Sequence, residues 1–173
     1  MTVSAPLSNP TAPPSPADYV AMAARVLDGL EVEAAFEPGR LLAANAGVLL
    51  SQVIQVTERS DGRRFLVLDA AMNDLMRPAL YDAFHDIVPV RPSPSVARPY
   101  DVVGPVCETG DVIATNRALA PGAAGDLLVG ARAGAYGAAR AAGYNGRCVG
   151  PEGGVDGEHV ARRRRRPASD AAV

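Results

Sequence analysis

The stretch Val48–Glu58, VLLSQVIQVTE, is rich in β-branched and aliphatic residues, and a second run of the same kind, RRFLVLDAA (63–71), follows it closely. Between the two runs lies Ser60-Asp61-Gly62. An Asp-Gly pair between two strand-like runs is a strong hairpin signal, because the turn requires positive φ. The sequence therefore predicts a β-hairpin over residues 53–68.

Further strand-like stretches follow the hairpin. They are HDIVPVRP (85–92), YDVVGPVCE (100–108), DVIATNRAL (111–119) and GDLLVGARA (125–133). Short runs separated by turn clusters such as APGAAGD (120–126) are typical of all-β domains. We therefore predict a mainly β fold, with an antiparallel β-domain (a barrel or sandwich) over residues 48–160.

The N-terminal part has a different pattern. Residues 1–14 are rich in proline and predict an extended linker. Ser15-Pro16-Ala17-Asp18 offers an N-cap, a proline at the first helical position and an acid at the third, so a helix should start there and stop near Gly29. LEVEAAF (30–36) predicts a short strand. A helix and a strand ahead of a β-domain suggest that residues 15–47 are the end of a preceding domain.

The charge is unevenly distributed. All 17 basic residues are arginines, and five of them form the run Arg162–Arg166, whereas residues 1–161 carry 12 arginines against 18 acids. A terminal run of like charge predicts a solvated, disordered tail, which we place at residues 161–173. Since the rest is acidic and aromatics make up only 5%, we expect no nucleic-acid partner.

The sequence also lacks the signals of a membrane-spanning, secreted or metal-binding protein. No apolar run is long enough for a membrane span, and the first residues lack the order of a secretory signal. Two cysteines in unlike contexts favour a reduced, cytoplasmic protein. Two cysteines and two histidines never fall at ligand spacing, so no metal site is predicted.

Four motifs are candidates for chemistry. In FEPGR (36–40), Gly39 allows close approach of a ligand and Arg40 suits a carboxylate or phosphate, although the motif is equally an ordinary turn. In MNDLMRPALYDAFHDI (72–87), Arg77 and Tyr81 share a face if the segment is helical. The alternative makes Arg77 a surface charge and Tyr81 a packing residue.

The other two motifs contain a tyrosine and a thiol. GAYG (134–137) presents Tyr136 between glycines, which suits a hydroxyl offered to a phosphate and also a simple bend. VGPVCETGD (103–111) places Cys107 beside Glu108 where a strand-like run breaks into a turn. The alternative makes Cys107 a small buried hydrophobe and Glu108 a solvated turn residue.

Taken together and in order, these segments resemble the C-terminal half of diaminopimelate decarboxylase, a pyridoxal-phosphate-dependent enzyme that makes lysine from meso-diaminopimelate. The resemblance runs from about Ser15 to Asp156 and includes ANAGVLL (44–50). It implies a C-terminal β-domain, preceded here by the last strand–helix remnant of the α/β barrel that binds the cofactor.

The resemblance also implies roles for individual residues. Those matching the cofactor site are Glu37, Pro38, Gly39, Arg40 and Tyr136. Those matching the substrate site are Arg40, Arg77, Tyr81, Glu108 and Tyr136. The Cys107 thiol matches the proton donor to the carbanion that remains after CO₂ departs, and in the family's homodimer Cys107 and Glu108 enter the neighbouring subunit's active site.

One requirement of that chemistry is missing from the sequence. Pyridoxal phosphate is bound as a Schiff base to a lysine, and these 173 residues contain none. We therefore expect the chain to be inactive alone and to need a partner chain that bears the barrel. The alternative is a truncated, non-catalytic β-domain that acts as a dimerisation or binding module.

Overall fold

The computed structural model describes residues 15–120 and 122–165. The strands in this part of the chain are β1 (Leu49–Glu58), β2 (Arg64–Leu68), β3 (Ile87–Pro89), β4 (Arg98–Val103), β5 (Val112–Leu119), β6 (Leu127–Gly130), β7 (Glu152–Asp156) and β8 (His159–Arg164). The α-helices are α1 (Pro16–Leu27), α2 (Gly39–Ala43) and α3 (Arg77–Tyr81), and short 3-10 turns span Ala44–Ala46 and Ala138–Arg140.

Six strands form one sheet in the order β3-β6-β1-β2-β4-β5, and the edge strands β3 and β5 approach each other. The predicted mainly β fold is therefore confirmed. One pairing departs from the antiparallel expectation, because β2 and β4 run parallel. The chain between them passes through α3 and β3, which makes room for the crossover that parallel neighbours require.

The hairpin predicted at residues 53–68 is confirmed as β1 and β2. Glu58 pairs with Arg64, and the turn closes with Arg59 N–H donating to the Arg63 carbonyl at 2.9 Å. Gly62 has φ 83°, the conformation for which the Asp-Gly signal selects. A bulge between Val53 and Gln55 bends β1.

The core lies on the inner face of this sheet. Its buried side chains come from all six strands and include Val53, Leu66, Leu68, Ile87, Tyr100, Val102, Ile113, Leu119 and Leu128. Alternation along β1 and β2 places their core residues inward and turns the intervening residues away from the core. This core gives the loops at the sheet's ends a fixed base.

The N-terminal segment has no such core. The predicted N-cap at Ser15 and helix start are confirmed, yet no residue of α1 is buried. The Ser15 hydroxyl accepts from Asp18 N–H while the Asp18 carboxylate accepts from Ser15 N–H, which makes a capping box. The strand predicted at residues 30–36 is wrong, because this segment has no regular structure. A strand needs a neighbour for its backbone hydrogen bonds, and the described residues place none beside it. Tyr19 and Phe36 form an edge-to-face pair with centroids 6.0 Å apart.

The expected disordered tail needs a correction. Residues 161–164 lie in β8, which pairs antiparallel with β7 through Val155 and Val160. Because Glu152 opposes Arg164 with a 3.8 Å ion pair, the charge of the arginine run is partly matched in the strand. The linker predicted at residues 1–14 and the end of the tail, 166–173, lie outside the described residues. None of the described helices is both long and apolar enough to cross a bilayer.

Candidate active site

The loop at residues 131–140, which follows β6, is the meeting point of three of the predicted motifs. Its N-terminal half packs on the segment that follows FEPGR. Gly134 N–H donates to the Ala44 carbonyl at 3.1 Å, and Ala133 N–H donates to the Gly47 carbonyl at 2.9 Å. A Cβ on Gly134 would lie 2.0 Å from the Ala43 carbonyl oxygen, so only glycine permits this approach.

The same loop is fastened to the segment that follows α3. Ala131 N–H donates to the Asp86 carbonyl at 2.8 Å, and Arg132 forms a 2.6 Å ion pair with the Asp86 carboxylate. His85 Nδ1 lies 2.9 Å from the Ala131 carbonyl, and because a carbonyl only accepts, this ring nitrogen carries the proton. Burial lowers the pKa of the fully buried His85, which keeps the imidazole neutral.

Two of the predicted tyrosines meet around an arginine that the sequence analysis did not select. Arg140 Nη1 donates to Tyr81 Oη at 2.8 Å. The Arg140 guanidinium also lies 5.5 Å from the Tyr81 ring centroid and 5.2 Å from the Tyr136 ring centroid, within cation–π range. Tyr136 adopts φ 60°, an uncommon conformation for a residue with a side chain, which aims its ring at this cluster.

The arginines of the motifs both lie at helix starts. Arg77 is the first residue of α3, one turn before Tyr81, so the helical geometry on which their pairing depended is confirmed. Arg40 lies in the first turn of α2, and Gly39 begins that helix with nothing within 4 Å of the position a Cβ would take. Among the described residues, no hydrogen bond or ion pair joins the side chains of Glu37 or Arg40 to Tyr136.

Cys107 and Glu108 lie on a separate turn between β4 and β5. The buried Asp111 carboxylate holds this turn, because it accepts from Met72 N–H at 2.6 Å and from Val106 N–H at 2.8 Å. Cys107 is exposed, so the alternative that made it a small buried hydrophobe is wrong. The turn therefore presents a free thiol on a rigid base.

Within the described part of the chain, Glu108 has one side-chain partner. Tyr144 Oη donates to Glu108 Oε2 at 3.2 Å. This hydrogen bond and the negative charge of Glu108 raise the pKa of Tyr144. Within the described residues, the turn has no hydrogen bond to Arg77, Tyr81 or Tyr136, so one copy of the chain does not join the two halves of the predicted site by direct contact.

Sequence reasoning missed Arg140, Tyr144 and Asp111. Tyr136 and Arg140 stand four residues apart, which is a spacing that brings side chains together on a helical turn, and this signal could have found the arginine. Nothing local relates Tyr144 to Glu108, which lies 36 residues away in sequence. No group of three or more potential metal ligands lies together in residues 15–120 and 122–165.

Several known proteins are similar to this chain in sequence. Diaminopimelate decarboxylase from Zymomonas mobilis is 51% identical over 154 residues, which cover 89% of this chain and 36% of that protein. The enzyme from Pseudomonas fluorescens is 49% identical over 156 residues, with the same coverage. The chain thus spans about a third of the length of these relatives.

Solved structures show the same relationship. The crystal structure of diaminopimelate decarboxylase from Helicobacter pylori, complexed with L-lysine, superposes with a TM-score of 0.85 at 34% identity, covering 95% of this chain and 40% of that one. The family model for the C-terminal sheet domain of pyridoxal-dependent decarboxylases matches residues 15–134. The resemblance seen in the motifs is confirmed, and the chain belongs to the pyridoxal-dependent decarboxylases, whose C-terminal sheet domain it carries.

Proposed function

We propose that this chain is the C-terminal portion of a cytoplasmic diaminopimelate decarboxylase, which converts meso-2,6-diaminopimelate to L-lysine and CO₂. The observation that carries the proposal is the convergence on loop 131–140 of the segments bearing Arg40, Arg77 with Tyr81, and Tyr136. These motifs are separated by 30 residues or more in sequence, and hydrogen bonds fasten each segment to one loop.

In this account the α3 face binds the far end of the substrate. Arg77 offers a fork of N–H donors to the far carboxylate, and Tyr81 adds a hydroxyl one turn later. Tyr136 lies beside Tyr81 through their shared contact with Arg140, where it would meet both substrate and cofactor. Glu108 supplies the negative charge that suits the far ammonium group.

Cys107 serves as the proton donor. After CO₂ leaves, the substrate carbon requires a proton, and Cys107 Sγ delivers it. A thiol suits the role because it can deliver its proton near neutral pH and regain one from solvent. The exposed position of Cys107 on a turn held by buried Asp111 supports this role.

The described residues fit only part of a pyridoxal phosphate site. The open space at Gly39 and the guanidinium of Arg40 suit the cofactor phosphate. The amine that would bind the cofactor covalently is missing, because no residue of the 173 is a lysine. The covalent anchor must therefore come from a barrel outside these residues, and we propose that the chain has no activity without it.

We propose that the complete enzyme is a homodimer in which Cys107 and Glu108 act in the partner's site. The lack of direct contact within one copy between their turn and the Tyr81–Tyr136 cluster supports this arrangement. It predicts that each active site combines Arg77 of one subunit with Cys107 of the other.

The experiment that tests this function uses the chain completed with a lysine-bearing barrel portion. Arg77→Ala and Cys107→Ala should each reduce CO₂ release from diaminopimelate. Mixing the two impaired variants should raise the rate above that of either alone, because a mixed dimer contains one intact site. No recovery in a mixture shown to exchange subunits would contradict the shared site, and wild-type rates in both single variants would contradict the residue roles.

A non-catalytic dimerisation module is the second candidate. The observation that favours it is the outer face of β1, β3 and β6, where Leu50, Ile54, Val88 and Leu127 are all exposed. Sedimentation of the chain alone tests it. A dimer that Leu50→Ser and Val88→Ser together dissociate, combined with no CO₂ release after a barrel is supplied, would favour this function over the enzymatic one.

A further inference from the structure

Arg140 is built into the site by contacts on both of its sides. Its 3-10 turn closes with Arg140 N–H donating to the Gly137 carbonyl at 3.0 Å. Two residues later, Ala142 exchanges hydrogen bonds with the buried Asn73, donating to its carbonyl at 3.1 Å and accepting from its Nδ2 at 3.0 Å. The backbone around Arg140 is thus fixed to the core, and its guanidinium contacts Tyr81 and Tyr136 from this fixed position.

The hydrogen bond from Arg140 fixes what Tyr81 can offer a ligand. A guanidinium has no acceptor, so in this 2.8 Å contact the Tyr81 oxygen accepts and its own hydrogen remains available. Tyr81 is therefore left as a donor toward the open side of the site. A carboxylate oxygen is the complement of such a donor.

The charge of Arg140 points to the same ligand. In the described part of the chain, Arg140 forms no ion pair, and neither does Arg77 at the start of the same short helix as Tyr81. The Tyr81 hydroxyl takes one Arg140 N–H group and leaves others unused. An unneutralised guanidinium bonded to the Tyr81 hydroxyl, with a second one on Arg77 one helical turn earlier, favours an anion and repels a cationic chain end.

We propose that Arg140 is a specificity-determining residue that selects substrates with a carboxylate at their far end, and that it acts both by its charge and by holding Tyr81 as a donor. The inference rests on the proposed function for the identity of the substrate. The substrate class it selects is α-amino acids whose far end carries a carboxylate beside the ammonium, rather than an ammonium or guanidinium alone.

Binding to the full 173-residue chain tests this without any catalytic step. The probe is L-norleucine, a short apolar chain ending in an ammonium and a carboxylate, and pentylamine is the matched probe without the carboxylate. Tyrosine ring signals followed by NMR should shift with L-norleucine and not with pentylamine. Arg140→Gln should weaken L-norleucine binding about tenfold, the size of one charge-assisted hydrogen bond.

Two further variants, one control and one second test, complete this experiment. Arg91→Gln removes a charge from an exposed loop residue and should leave binding unchanged. Tyr81→Phe should weaken binding while keeping the Arg140 charge, and an unchanged NMR spectrum elsewhere shows that each variant is folded. Equal binding of L-norleucine by wild type, Arg140→Gln and Arg91→Gln would overturn the proposal, as would equal binding of the two probes or no binding to wild type.

A kinetic measurement separates this inference from the proposed function. In the chain completed by a barrel, Arg140→Gln should raise KM for diaminopimelate about tenfold and change kcat little, since the far carboxylate is held equally in ground and transition states. Suppose that Arg140→Gln selectively loses L-norleucine binding and that the completed protein releases no CO₂. The proposed function would then be refuted, and the carboxylate assignment would stand. Decarboxylation by the completed Arg140→Gln variant with an unchanged KM would refute the carboxylate assignment and leave the proposed function standing.

Discussion

Tyr144 Oη donates a hydrogen bond to Glu108 Oε2 at 3.2 Å, across the 36 residues that separate them in sequence. The contact ties the turn bearing the thiol to the segment that follows Tyr136. It holds the Glu108 carboxylate in one orientation while leaving the side chain exposed. In the proposed enzyme, this is the carboxylate that meets the far ammonium of the substrate.

Glu108→Gln should lower the pKa of Tyr144 toward that of an ordinary tyrosine. The carboxylate now raises that pKa, first by accepting the hydrogen bond and second by its charge, and both effects disfavour the phenolate. NMR titration of the tyrosine rings at alkaline pH measures the change. Glu58→Gln is the control, because it removes a carboxylate paired with Arg64, and it should leave the pKa of Tyr144 unchanged. An unchanged Tyr144 pKa in Glu108→Gln would contradict the contact.

Gly134→Ala should destabilise the chain by roughly 3 kcal/mol, because the new Cβ would meet the Ala43 carbonyl and force the segment at residues 39–47 away from the loop. Urea unfolding measures the free-energy change. Gly39→Ala is the matched control, since its Cβ would enter open space at a helix start, and it should change stability by less than about 1 kcal/mol. Similar values for both variants would mean that the close approach of the two backbones is absent.

Asp111→Ala should cost about 2–4 kcal/mol, because it leaves the N–H groups of Met72 and Val106 without their acceptor. Hydrogen exchange at these two amides should accelerate along with the loss in unfolding free energy. Asp126→Ala removes an exposed carboxylate that caps a comparable turn through Ala123 N–H, and its effect should be smaller by about 1 kcal/mol or more. Unchanged exchange at both amides in Asp111→Ala would contradict the role given to that carboxylate.

The chain should lose stability as the pH falls from 7.5 to 5.5. Burial lowers the pKa of His85 below its usual 6.5, so the unfolded chain takes up the proton more readily than the folded one. The contribution of His85 to the unfolding free energy is thus fully present above pH 6.5 and is lost as the pH falls toward the folded pKa. The unfolding free energy should fall by at most about 1.4 kcal/mol per pH unit.

Urea unfolding at several pH values measures this slope. His85→Gln should flatten it, whereas His159→Gln, which alters an exposed histidine, should not. Equal slopes in wild type and His85→Gln would show that the buried imidazole does not control this pH dependence.

Local sequence signals predicted the fold wherever structure depends on near neighbours. The Asp61-Gly62 turn and the helix N-cap at Ser15 are both set within a few residues, and both are confirmed. The parallel β2–β4 pair was missed because it joins strands separated by α3 and β3, and pairing direction leaves no mark on either strand's pattern. The strand expected at residues 30–36 failed because alternation alone does not provide a neighbouring strand.

The residues of the candidate site were likewise predictable only where a local pattern marks them. Residue types and motif order pointed to Arg77, Tyr81 and Tyr136, and the structure places the two tyrosines against one arginine. Arg140 lies just beyond GAYG (134–137), outside the four motifs, so residue types alone do not single it out. No local pattern marks Asp111 as buried, because its burial follows from the packing of the segment that contains Met72 against the turn.

The measurement that tests the central claim most directly is CO₂ release from diaminopimelate, with pyridoxal phosphate present, by the chain alone and by the chain mixed with a lysine-bearing barrel portion. We predict no release by the chain alone, because it has no amine to bind the cofactor, and release by the mixture. Release by the purified chain alone would contradict the account, and so would a mixture that assembles into one complex and remains inactive.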